Sequence, residues 1–152
     1  GEVVVTKPWW VTRNAVERMV LRHTDWILER LEKFKSMPVP KILLGTRKDY
    51  LANRESARTF ITTRVEHLNR QFYNYKYGRI SIKNTRSSWG SCSKKGNLNF
   101  NYRVASLPEW VADYIIIHEL CHLKELNHSK RFWDLVSVAC PQHKQARQWL
   151  KR

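Results

Sequence analysis

The stretch His118-Glu119-Leu120-Cys121-His122, with His128 six residues beyond it, constrains this chain more than any other. Four residues of an α-helix advance about 400° and rise about 6 Å, so His118 and His122 share a face at the separation needed to chelate one ion. Glu119 beside them is badly placed to be a third ligand. It is well placed to hold a water at the metal and take its proton, the general-base role of a His-Glu-x-x-His motif.

The residues before the motif supply the helix it needs. Ser106-Leu107-Pro108-Glu109 reads as a capping box with proline in the first turn, predicting a helix from Pro108 to about Leu126. Trp110, Val111, Tyr114, Ile115, Ile117, Leu120, Cys121 and Leu123 make it apolar on most sides, and between Glu109 and His118 only Asp113 is charged. Continued unbroken to His128, such a helix would carry that residue about 9 Å beyond His122 and rotate it away. The chain must therefore turn. Asn127 is the residue expected to take a left-handed C-terminal conformation, and Ser129 to cap a following helix with Phe132, Trp133, Leu135, Val136 and Val138. His118, His122 and His128 are thus the expected zinc ligands and Glu119 the expected catalytic base. No glutamate follows Glu125, and the other downstream donors, Asp134 and His143, rank below His128.

A chain of 152 residues with seven tryptophans and 42% hydrophobic residues has material for one sizeable core. No apolar run approaches a membrane span, and no signal-peptide pattern opens the chain. Cys92, Cys121 and Cys140 are odd in number and widely spaced, which suits a reducing, cytoplasmic setting. Cys121 reads as a small buried hydrophobe. Cys92, in Trp89-Gly90-Ser91-Cys92-Ser93, reads as a packed thiol, with a thiolate that tunes the metal as the alternative. The formal charge of +15 admits an anionic partner such as nucleic acid or nucleotide phosphates. Eleven basic residues against three acids fall between Lys41 and Arg86, yet no nucleic-acid-binding motif accompanies them, and a solvated basic face explains them equally well.

Along the chain, Glu2 to Thr6 suggests an edge strand and Thr12 to Lys35 a helix with Val16, Met19, Val20, His23, Trp26, Ile27, Leu31 and Phe34 on its stripe. Met37-Pro38-Val39-Pro40 opens a linker, dividing residues 1–40 from a catalytic unit at 41–152. A long helix from Asp49 to Tyr75 is expected to stop at Gly78, with Ala57, Phe60, Ile61, Val65, Leu68 and Phe72 on its apolar side. A small sheet follows: a strand at Arg79 to Lys83, a segment at Ser88 to Ser93, a turn at Lys94-Lys95-Gly96, and a strand from Asn97 to Val104 whose Leu98, Phe100, Tyr102 and Val104 alternate with polar residues. This order is α+β: a small antiparallel sheet packed on the metal-site helix, with additional helices. An edge strand at Ser87 to Ser93 or at Asn97 could pair with an extended peptide; the same sheet could instead only cover the helix.

Ser88-Trp89-Gly90-Ser91-Cys92-Ser93, Gly96-Asn97-Leu98-Asn99-Phe100-Asn101, His118 to Leu123, and Asn127-His128-Ser129 with Phe132-Trp133 resemble the YgjP-like metal-dependent hydrolase family, a zincin group similar to the SprT and WLM metallopeptidases. The resemblance implies a zincin-like fold, zinc at His118, His122 and His128, Glu119 as the catalytic glutamate, and a metallopeptidase acting on peptide or protein, with nucleotide pyrophosphatase activity also attached to the family. Two departures stand out: Ser88 occupies a position usually basic in the family, and the family's N-terminal β section is largely absent, so residues 1–40 read as the end of a larger N-terminal portion. The oxyanion-stabilising residue stays open among Arg86, Tyr102, Arg103 and His143. Two rival functions are a nucleoside triphosphate (UTP-type) pyrophosphatase and a nucleic-acid-binding module with structural zinc. A three-histidine site suits zinc better than the magnesium of the first, and a structural site would carry four protein ligands.

Overall fold

The structure is a computed structural model that describes residues 12–22, 24 and 45–151. The expected strand at Glu2 to Thr6, His23, the first helix's stripe from Trp26 onward and the Met37–Pro40 linker lie outside the described residues. The chain divides into two compact units, Gly1–Val39 and Pro40–Arg152. In the first, helix α1 (Arg13–Arg22) carries an exposed Arg13–Glu17 ion pair at 3.0 Å, and Thr24 donates its hydroxyl back to the Val20 and Leu21 carbonyls.

The second unit opens with α2 (Arg47–Phe72), whose N-cap Thr46 accepts the Asp49 amide. Ala57, Ile61, Val65 and Leu68 recur at helical spacing and are buried, while Phe60 and Phe72 pack half-buried beside them. The helix does not run on to Tyr75, and Gly78 does not stop it. Asn74 turns the chain with φ 52°, and the buried Asn69 side chain locks the turn by pairing with both the amide and the carbonyl of Tyr75 at 2.9 Å.

The sheet comprises β1 (Ile80–Lys83), β2 (Gly90–Cys92) and β3 (Leu98–Asn101) in the order β1-β3-β2. The α+β class is as expected, but the sheet is mixed: β2 pairs antiparallel with β3, and β1 pairs parallel with it. The tight turn at Gly96 (φ 74°) folds β2 onto one side of β3, leaving β1 only the other side. Residues 84–89 cross between the two edges, and Asn101 holds that crossing by donating to the carbonyls of Thr85 and Ser88. Asn101 is therefore buried instead of wet. Its Oδ1 also caps the Arg103 amide, so Tyr102–Ser106 form a 3-10 helix where the alternation predicted more strand.

Helix α3 (Glu109–Cys121) is the centre of the unit, flanked by α2, β2, α4 (Lys130–Ala139) and α5 (His143–Leu150). Nine of its thirteen residues are buried, as the apolar run requires. The expected capping box does not form: Ser106 donates its hydroxyl to the Arg103 carbonyl of the 3-10 helix, and Pro108 serves as N-cap without a side-chain bond. Asp113, the one charged side chain in the apolar stretch, is gripped two-pronged by Arg64 of α2, which also reaches Glu109 at 3.1 Å. That clamp fixes the helix that bears the His-Glu-x-x-His motif. No helix among the described residues is long and apolar enough to cross a membrane.

Candidate metal centre

His118 lies in the last turn of α3 and His122 is its C-cap, so the helix ends at Cys121, five residues before Leu126. The chain leaves through tightened bonds, with Leu123 donating to Leu120 and both Lys124 and Glu125 to Cys121, all at 3.0 Å. Asn127 is not left-handed; among the described residues only Asn74 and two glycines have positive φ. The turn instead rests on His122 itself, whose Nδ1 lies 2.9 Å from the Glu125 carbonyl. An N–H donated there leaves Nε2 with its lone pair free, the arrangement typical of a metal-ligating histidine. Ser129 caps α4 as expected, accepting the Phe132 amide at 3.3 Å.

These turns bring His128 back. His122 Nε2 and His128 Nε2 lie 3.2 and 3.0 Å from His118 Nε2, and one ring nitrogen from each histidine falls within 4.8 Å of the other two. Burial, the neighbouring imidazoles and Arg147 press the His118 pKa down to about 3, and burial, His122 and Arg147 lower that of His128. Protonation of His118 and His128 is thus disfavoured, and one ring nitrogen from each of the three histidines converges on one point. Three acceptors in such proximity repel one another unless a cation or shared protons sit between them, and imidazole nitrogens are zinc's common ligands. The donor set fits a divalent ion.

An aromatic floor supports the trio. Phe132, fully buried, packs against all three rings with centroids 4.9, 4.5 and 4.8 Å from those of His118, His122 and His128. Trp133 stacks on His128 at 5.7 Å and carries the Arg147 guanidinium 4.6 Å from its own ring. Sequence reading took Phe132 and Trp133 as apolar members of a helix and as part of the family resemblance, without a role beneath the histidines. The available signal was the four-residue step from His128 to Phe132.

Glu119 points from α3 toward the sheet. It is 5% exposed, its Oε2 has no hydrogen-bond partner, and burial raises its pKa to about 8. Gly90 lies directly against it: a Cβ built on Gly90 would stand 2.7 Å from Glu119 Oε1. Cys92 is a half-buried free thiol whose pKa burial and Glu119 both raise, which favours the packed thiol over the thiolate; Cys121 is buried as expected.

The other candidate residues lie apart. Asp134 is exposed and outside the cluster. His143 is buried, stacked on Trp133 and bonded to the Cys140 carbonyl. Tyr102 is in the core, Arg103 is committed to Thr85, Asn101 and the face of Trp89, and Arg86 is exposed.

Residues 46–152 match the YgjP-like metallopeptidase domain. The chain belongs to the YgjP-like family. Among solved structures it is similar to the metallopeptidase zymogen abylysin of Pyrococcus abyssi, at 27% identity and a TM-score of 0.55 over 59% of this chain and 90% of that one. It also matches the zymogen jannalysin of Methanocaldococcus jannaschii, at 26% identity and a TM-score of 0.49 over 59% of this chain and 96% of that one. No curated protein matches it. Family and fold together make this YgjP-like chain a metallohydrolase of metallopeptidase type that uses a divalent metal, with the three-histidine cluster as its candidate site.

Proposed function

We propose that this chain is a zinc-dependent peptidase in which His118, His122 and His128 hold the ion and Glu119 is the general base. The carrying observation is the convergence of three imidazole nitrogens within 4.8 Å on the helix that also bears Glu119. An all-imidazole set favours zinc over magnesium, which argues against the pyrophosphatase alternative. Zinc held there supplies Lewis acidity toward a scissile carbonyl and toward water. Glu119 takes the proton of the attacking water on a carboxylate oxygen and delivers it to the leaving amine nitrogen as the C–N bond breaks. Its Oε2, unpartnered within the protein, is free to accept that proton.

The sheet order bears on the substrate. β3 is paired on both sides, whereas β2 is an edge strand and runs past Glu119 through Gly90. An extended peptide added along the outer edge of β2 would pass the base and the three histidines. Three free thiols suit a reducing compartment, so we place the activity in the cytoplasm.

Glu119→Gln tests the reading. Elemental analysis should find zinc in the wild type and in the variant, while cleavage of a fluorogenic peptide library falls by about 100-fold or more in the variant. Undiminished cleavage by Glu119→Gln, or wild-type protein without zinc, would overturn it. Pyrophosphate release from nucleoside triphosphates in place of peptide cleavage would establish the rival.

A further inference from the structure

Gly90 lies in β2, where glycine is a poor choice: it contributes no side chain to packing and costs more conformational entropy than other residues. Its backbone does not demand glycine. The described glycines with positive φ are Gly45 and Gly96. The reason for Gly90 lies across the layer, on α3. A Cβ at this position would stand 2.7 Å from both Cγ and Oε1 of Glu119 and 2.9 Å from Cδ, closer than a real Cβ approaches another atom. The three nearest atoms all belong to that one side chain. At Gly78, by contrast, the obstructing atoms belong to Asn97 and the Gly96 backbone.

The strand cannot easily give way. Gly90 is in register with Phe100, which is almost fully buried, and the Asn101 amide donates to the Trp89 carbonyl at 2.8 Å. Ser91 and Asn99 add a side-chain bond at 3.2 Å one residue further on. The carboxylate is the movable partner. A methyl group at position 90 would leave the fold standing and push the carboxylate from its seat.

We infer that Gly90 is a positioning residue, and that the missing side chain at this point of β2 sets where the Glu119 carboxylate rests. The inference deepens the peptidase reading and rests on it for its catalytic consequence; the steric coupling between positions 90 and 119 stands independently. An edge strand that serves a substrate on its outer side would thus also form the back wall of the base.

The test is Gly90→Ala, alone and combined with Glu119→Ala. Zinc content should be unchanged, and kcat on the peptide library should fall about ten-fold or more with KM little altered. In metal-free protein, Gly90→Ala should lower the melting temperature when Glu119 is present. In the Glu119→Ala background it should leave the melting temperature unchanged or raise it, since Gly→Ala at an accessible φ restricts the unfolded chain. The same melting shift in both backgrounds, failure to fold in both, or full activity of Gly90→Ala would overturn the inference. If Glu119→Gln stays active while the melting shifts still differ between backgrounds, the general-base assignment has failed and the steric coupling has not.

Discussion

His118 and His122 reach the cluster by a different route from His128. The first two need only a helix, because four residues of α-helix align their rings. His128 needs a tightened exit from α3, a capped restart at Ser129 and an aromatic floor beneath it. The pair is set by local geometry that the core of α3 enforces, whereas the third histidine is set by packing between segments. The same change in stability should therefore affect metal binding unequally, depending on which side it strikes.

Phe132 is where that inequality should be largest. It touches all three rings and is fully buried, so Phe132→Ala removes a large core side chain and the support of the trio together. We expect a loss of about 4 kcal/mol of stability in chemical denaturation. Zinc affinity should weaken by more than that caused by an equally destabilising truncation at Ile61 on α2, which is buried but lies outside the floor. Equal zinc affinity in the two variants would show that the floor does not hold the histidines.

The comparison also explains what could be read from the chain. The motif helix, its apolar faces, the Ser129 cap and the Gly96 hairpin were legible because each depends on neighbours within a few residues. The exit from α3 was not: no left-handed residue marks it, and it closes through the His122 ring and the Glu125 carbonyl. Asn101 looked like the wet side of a strand, yet it is the clasp of the crossing at 84–89, a pairing across some sixteen residues that no periodicity reveals. Gly90 left one trace, a glycine in a segment otherwise suited to strand, but its partner on α3 is invisible without the fold. The parallel pairing of β1 likewise follows from which strand β3 folds against first.

The two sides of the site differ in charge behaviour as well, and this gives the next prediction, for protein stripped of metal. Glu119 keeps its proton in the fold to about pH 8, whereas the unfolded chain releases it near the ordinary value of 4.5. Between those limits the folded state holds the extra proton, so stability falls as pH rises and levels off above about 8. His118 acts in reverse: it stays neutral in the fold to about pH 3 against an ordinary 6.5, so its contribution is lost as pH falls below 6.5. The two slopes oppose each other between the ordinary values of 4.5 and 6.5, and the alkaline flank belongs to Glu119 alone. Melting curves in chelator should show the wild type losing a few kcal/mol toward pH 8, with Glu119→Gln flat over the same range. An unchanged alkaline slope in the variant would assign that flank to another group.

The smallest effect should come from Ser129→Ala, which bears most directly on the loop-borne histidine. The cap bond to the Phe132 amide ties the start of α4 to the residue that follows His128. Losing it should cost about 1 kcal/mol of stability, and Ser129→Asp should recover it. Because Ser129 hydrogen-bonds to the amides of Phe132 and Trp133 and to neither His118 nor His122, a weakened zinc affinity in a chelator competition would have to pass through His128 and the tilt of Phe132. We expect a decrease of a few-fold, restored by Ser129→Asp together with the stability. A cap variant that loses stability but keeps its zinc affinity would show that edge contact with Phe132 and stacking on Trp133 place His128 without help from the helix start, and the third histidine would then be as locally determined as the first two.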